Sequence, residues 1–308
     1  LDMLWVEPGT FTMGSPTTEA GRGTDEAEHN VTLTQGFYLG KYEVTQAQYE
    51  AVMTGNTDGL SATPSEWPNN PNHPVGQVSW SDAQIFLTRL NAQQSASIPA
   101  GWAYVLPTES QWEYACRAGT TTAYSWGNSI ASSNANYNES GFGKTHDIGQ
   151  YMPNPWGFFD MHGNVWEWTL DSYQADYPTA NPVVDPTGPV SGSRRVRRGG
   201  SYHGSGTNLR SAMRSDINQN YRYKFIGFRI AYKFTGDHSV DLNASVKLDM
   251  LWVEPGTFTM GSPTTEAGRH ADREDEHNVT LTQGFYLGKY EVTQAQYEAV
   301  MTGNTDGL

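Results

Sequence analysis

The opening of this chain is written twice. Residues 1–22, LDMLWVEPGTFTMGSPTTEAGR, return letter for letter as residues 248–269, and residues 28–60 return as 276–308. Between the matching blocks GTDEA becomes HADRED, one residue longer. Divergence confined to one acidic loop reads as a natural tandem array, seen as one whole unit and the start of the next. A domain followed by a vestigial duplicated fragment is the alternative. The expected organisation is a complete domain over residues 1–234, a polar linker over 235–247 (TGDHSVDLNASVK) and the N-terminal part of a second repeat over 248–308.

Composition narrows what such a unit can do. A net charge of −14, from 33 Asp+Glu against 19 Lys+Arg, argues against nucleic acid, because that binding rests on neutralising phosphates with Lys and Arg. The same excess of acid suits calcium. No apolar run is long enough to insert in a membrane. A single cysteine excludes an internal disulfide, a CxxC pair and a Cys-rich zinc site.

Local signals predict short strands, three helices and long loops. The Pro-Gly within 5–14 predicts a hairpin, and 36–44 a strand. Capping boxes predict helices opening at Thr45 with Gln48, at Ser81 with Gln84 and at Thr108 with Gln111, and Gly119 is the expected stop of the third. Residues 120–192 are rich in Gly, Asn, Pro and Trp without period, which predicts ordered loops. Strands are expected over 195–202, 209–214 and 226–234.

In order along the chain stand FTMGSP at 11–16, YEVTQAQY at 42–49, HPVGQVSWSDA at 73–83 and LPTESQWEYACRAG at 106–119. NPWGFFDMHGNVWEWTLD follows at 154–171, then RRGGSY at 197–202, RSAMR at 210–214 and GFRIA at 227–231. This succession resembles the formylglycine-generating-enzyme (sulfatase-modifying factor) domain. The resemblance implies an α+β fold of C-type lectin-like kind. In its oxidising members it implies two cysteines, between the GGSY-like and RCAAR-like segments, that hold copper. Here the interval at 203–209 reads HGSGTNL, without a thiol. Soft Cu(I) needs thiolate, so no copper and no enzyme activity are expected. Cys116, in EYACRAG, reads as a buried small residue. His29, His73, His146, His162 and His203 lack metal-ligand spacing, and Glu109 and Glu113, one helical turn apart, suit salt bridges or caps as well as acid/base work.

Calcium is the expected cofactor. The run 160–167, DMHGNVWE, offers two carboxylates about a Gly-containing turn. The resemblance implies side-chain ligation by Asp160 and Glu167 and carbonyl ligation by Gly163 and Val165. It implies a second, weaker site at Asn136, Tyr137 and Phe142, with Ser140 or Glu139 where the family has Asp. The basic cluster Arg194, Arg195, Arg197 and Arg198 lies on a strand whose residues alternate sides, so it forms no single patch. It reads, with Arg210, Arg214 and Arg229, as structural bracing. Ligand contact is expected at His203, Asn208, Asn220, Tyr221 and Tyr223, in a cleft with amide and aromatic composition. Asn30, Asn138, Asn243 and Asn278 head glycosylation sequons.

Three functions stay open: a non-catalytic extracellular or cell-surface adhesive protein, a filament of neighbouring copies of the repeat; a recognition module for a glycan or protein ligand; or an enzyme. The first is the primary expectation.

Overall fold

A computed structural model describes the chain except residues 178–181, 190, 236–237, 244–245, 254–255, 271–272, 282–284 and 303–308. Two compact units emerge, one of residues 1–98 and 103–233, the other of residues 99–102 and 234–308. Part of the expected linker, including Ala244 and Ser245 of the third sequon, and the last residues of the second repeat lie outside the described residues.

In the first unit the strands are β1 (Met3–Val6), β2 (Gly9–Met13), β3 (His29–Leu33) and β4 (Phe37–Gly40), then helices α1 (Gln46–Met53) and α2 (Trp80–Gln94). β5 (Trp102–Val105), at the boundary of the units, leads into α3 (Glu109–Arg117), followed by β6 (Trp166–Ser172), β7 (Val183–Val184), β8 (Arg194–Arg198), β9 (Ser215–Asn218), β10 (Ile226–Phe228) and β11 (Ala231–Phe234). They form sheets of order β1-β4-β11-β5, β10-β6-β8-β9 and β2-β3-β7. This is the expected α+β arrangement of short strands and helices joined by long ordered loops.

The Pro8-Gly9 step is not a hairpin. β1 pairs antiparallel with β4, and β2 with β3, so the chain changes sheets there. Residues 226–234 likewise divide: β10 runs parallel to β6 while β11 joins β4 in the other sheet. Gly227 makes the first pairing fit, since a Cβ there would lie 2.3 Å from the Val75 carbonyl oxygen. The run 209–214 is a turn and not a strand, and β6 is a strand within the segment expected to be loop.

The helix starts follow from side chains that satisfy otherwise orphaned N–H groups. Thr45 and Gln48 cap α1 reciprocally, and Thr108 and Gln111 cap α3. α2 opens at Ser79 with Asp82, two residues before the expected Ser81–Gln84 box. α3 ends as expected, with Ala118 and Gly119 both at positive φ. Helix and sheet meet where the Tyr49 ring stacks on Phe86 at 5.4 Å and Phe228 crosses both edge-on.

The second unit contains β12 (His238–Asp241), β13 (Lys247–Val253), β14 (Gly256–Met260), β15 (His277–Leu281), β16 (Phe285–Gly288) and α4 (Gln294–Met301). Its sheets are β12-β13-β16 and β14-β15. β13–β16 and β14–β15 repeat the registers of β1–β4 and β2–β3. The burial does not repeat. Leu39, Tyr49 and Val52 are at most 7% exposed, while their twins Leu287, Tyr297 and Val300 are 55–62% exposed.

Candidate functional site

Five buried arginines hold the first unit together from inside. Arg117 and Arg198 both reach Glu113, Arg210 grips Glu26 and Glu19, Arg214 grips Glu109, and Arg229 grips Glu167. On β8 the exposed Arg194 pairs with Asp216, while Arg195 and Arg197 lie 3.9 and 4.8 Å over the rings of Trp80 and Trp166. The basic cluster is thus spent on bracing.

Beside Arg229 sits a concentration of acid. Glu167 accepts from both Arg229 arms and from the Trp112 indole N–H at 2.7 Å. Glu43, which the sequence reading did not single out, accepts from the Asn164 amide and the Val165 N–H. Asp160 accepts the Gly149 N–H at 2.7 Å. Burial, then the charges of Asp160 and Glu167, push Glu43 well above the usual carboxylate range. Burial pushes Asp160 up to about 6. Arg229 is salt-bridged to Glu167, while Glu43 and the half-buried Asp160 feel its charge without a direct bond.

The expected calcium ligands fare unequally. Asp160, Gly163 and Val165 lie on the loop that leads into β6, and Glu167 on β6 itself; Gly163 has φ +131° and a Cβ there would stand 2.5 Å from the Asn136 carbonyl. Of the two Glu167 oxygens, Oε2 takes two donors and Oε1 one, leaving Oε1 a lone pair for a cation. At the weaker site the Ser140 hydroxyl lies within donating reach of Asn136 Oδ1 at 3.2 Å and of the Tyr137 carbonyl at 2.6 Å. Phe142 is exposed and packs on His146. Among the described residues no group of three or more His, Cys, Asp or Glu side chains is placed to hold a metal.

Cys116 is buried, 3.6 Å from His162 Nε2. Burial pushes its thiol up to about 12 and the His162 imidazole down to about 4. Neither group is charged at neutral pH. His73 bonds the Thr145 hydroxyl.

The expected ligand contacts assemble in part. His203 stacks on Phe225 at 5.5 Å, Phe225 on Tyr223 at 5.2 Å, and Tyr221 meets Tyr223 edge-on. Beyond His203 the line continues through the buried Tyr202 to Trp67, over which stands the Lys224 ammonium. Tyr221 and Tyr223 are 53% and 42% exposed. The backbone beneath is pinned at three points: Trp80 N–H to Gln219 O, Gln77 N–H to Tyr223 O, and Trp166 N–H to Phe225 O. Arg222 adds a bidentate bond to Asp82 at 2.6 and 2.7 Å. Asn208 Oδ1 accepts from the Ser205 N–H and hydroxyl. Asn220 sits apart and accepts from Ser81. Phe225 and Trp67 were missed because each neighbours the cluster in space and carries no polar signal. The sequon residues Asn30, Asn138, Asn243 and Asn278 are all exposed.

The sequence profile of the sulfatase-modifying factor enzyme 1-like (FGE-sulfatase) domain matches residues 1–234 and again 240–306. The chain belongs to this family. The mouse (Mus musculus) formylglycine-generating enzyme is 29% identical over 290 residues, spanning 74% of each chain. The one from Streptomyces coelicolor is 37% identical over 185 residues, spanning 54% of this chain and 55% of its own. Among solved structures, Treponema denticola variable protein 1 is similar with TM-score 0.63 and 28% identity, covering 74% of this chain and 94% of its own. PvdO from Pseudomonas aeruginosa is similar with TM-score 0.66 and 26% identity, covering 75% and 94%. These relatives correct one expectation. Five carry the name formylglycine-generating enzyme at 28–37% identity, so the FGE-sulfatase domain here stands in an enzyme family, and the absence of a cysteine pair does not remove it from that family.

Proposed function

We propose that this FGE-sulfatase chain captures a polypeptide segment on the aromatic surface formed by His203, Tyr221, Tyr223 and Phe225. The observation that carries this reading is the ladder itself: two half-exposed tyrosines stacked in line with Phe225 and His203 on a backbone fixed at three points. Rigid aromatic side chains supply contact area at low entropy cost, and a preformed surface avoids ordering on binding. The family description and the relatives' names, which speak of modifying a sulfatase and generating formylglycine, favour polypeptide over glycan as the ligand. Selection from a random peptide library on the full chain, repeated with Tyr223→Ala, tests the proposal; peptides captured equally by both would sink it.

Calcium at Asp160 and Glu167 is the second proposal. Its support is the charge imbalance, with Glu43, Asp160 and Glu167 facing Arg229 alone. The extracellular setting and the repeat-to-repeat filament stay proposals supported by the duplicated sequence, the exposed sequons and the exposed apolar side chains of the second copy.

A further inference from the structure

Away from the aromatic surface, the first unit holds a cavity of about 230 Å³ at the C-terminal end of β6. Its wall includes Asp171, Ser172, Tyr177 and Thr187, and its floor is the Glu109–Arg214 pair. The polar groups there are unevenly satisfied. Arg214 is closed on Glu109 by two bonds of 2.7 and 2.8 Å, so its charge is spent. The positive charges of Lys233 and Arg214 act on Asp171 without closing a salt bridge on it. Asp171 Oδ2 accepts only the Glu109 N–H at 2.8 Å, and no ion pair reaches it among the described residues. The Ser172 hydroxyl, on a residue 2% exposed, and the Tyr177 hydroxyl are buried without a hydrogen-bond partner. Each such orphan is destabilising unless something fills its valence.

We infer that this cavity binds a small organic amine, its ammonium on Asp171 and the Ser172 and Tyr177 hydroxyls, its apolar body among Met13, Val183 and the loop prolines. An ammonium offers three donors, and the three groups left open at the wall can all accept. An anion finds no free cation, because Arg214 is already paired. A neutral alcohol leaves Asp171 as it was. Tyr177 cannot form an aromatic cage, since Arg214 lies 4.1 Å from its ring centre and His29 stacks against it at 4.3 Å. That leaves the carboxylate as the anchor. Nothing in the resemblance or the relatives' names points to this cavity, and it shares no residue with the aromatic surface.

The test is ligand-observed NMR and calorimetry on the full chain with 2-phenylethylamine, cyclohexylamine and 1,4-diaminobutane, against 2-phenylethanol and 3-phenylpropionate. At least one amine should bind about tenfold more tightly than both uncharged and anionic probes. Asp171→Asn should weaken it by about tenfold and Ser172→Ala by about threefold to tenfold. Thr187→Trp, which fills the cavity from its rim, should abolish binding while the near-ultraviolet spectrum stays native. Tyr223→Ala should change nothing. The inference fails if no amine binds below about 10 mM, if the alcohol binds as well as the amine, or if binding survives Thr187→Trp.

Discussion

Arg229 and Glu167, on either side of the parallel β10–β6 pairing, meet through two bonds of 2.8 and 3.0 Å with both side chains at most 1% exposed. Removing one partner strands a buried charge, which costs about 3–5 kcal/mol. Arg229→Met should cost more than Glu167→Gln, because Glu43 and Asp160 lose the nearby positive charge of Arg229 too. Urea melts of the two variants check the order; equal losses would contradict the shared-charge picture.

Calcium, if bound by Asp160 and Glu167, stabilises the folded state by about 2.7 kcal/mol at roughly 100 times its Kd. A chelator should therefore lower Tm by several degrees, and Asp160→Asn should remove the chelator's effect. Differential scanning calorimetry reads both. An identical Tm with and without chelator contradicts the site.

Leu39 and Leu287 stand at the same place in identical sequence, yet one is fully buried and the other 59% exposed. Leu39→Ala should cost about 2–5 kcal/mol through the cavity it leaves, and Leu287→Ala less than about 0.5 kcal/mol. Chemical denaturation of the two variants gives the comparison directly. A large loss from Leu287→Ala would mean that its side chain is covered in solution.

Asp171 is pushed up to about 7 by burial and then by Glu109. The folded chain holds a proton that the unfolded chain releases near pH 4, so this residue's contribution falls as pH rises from about 4 to 7 and stays low above. Asp171→Asn should raise stability at pH 8 by on the order of 1–3 kcal/mol and flatten the slope between about pH 5 and 7. His162, pushed down to about 4, acts in the opposite sense below about pH 6.5, so the quantity to measure is the difference between variant and parent. A variant less stable at pH 8 would contradict the assignment.

What could be read from the sequence was local. The Thr45 and Thr108 caps were legible because a capping box lies within four residues. The same rule misplaced α2 by two residues, since Ser79 and Ser81 each have an acceptor three positions on. The Pro8-Gly9 hairpin was wrong because β1 and β2 each found a partner in another sheet. Glu43 and Glu26 find their partners far along the chain: the Val165 N–H reaches Glu43 across 122 positions and Arg210 meets Glu26 across 184. No spacing rule reaches that far. The family resemblance located Asp160 and His203 by motif, but whether a carboxylate faces an ion or an arginine depends on neighbours brought in by the fold. Asn208 shows the same dependence: its side-chain oxygen serves Ser205, a pairing that no motif announces.

The aromatic surface is tested most directly by the affinity of a library-selected peptide for the full chain and two variants, Tyr223→Ala and Phe142→Ala. Both side chains are exposed aromatics, 42% and 52%, and only the first belongs to the ladder. Tyr223→Ala should weaken binding by about tenfold or more, worth roughly 1.4 kcal/mol or above, with Tm unchanged, while Phe142→Ala leaves the Kd where it was. Equal affinities across all three proteins, or a loss only in Phe142→Ala, would contradict the account.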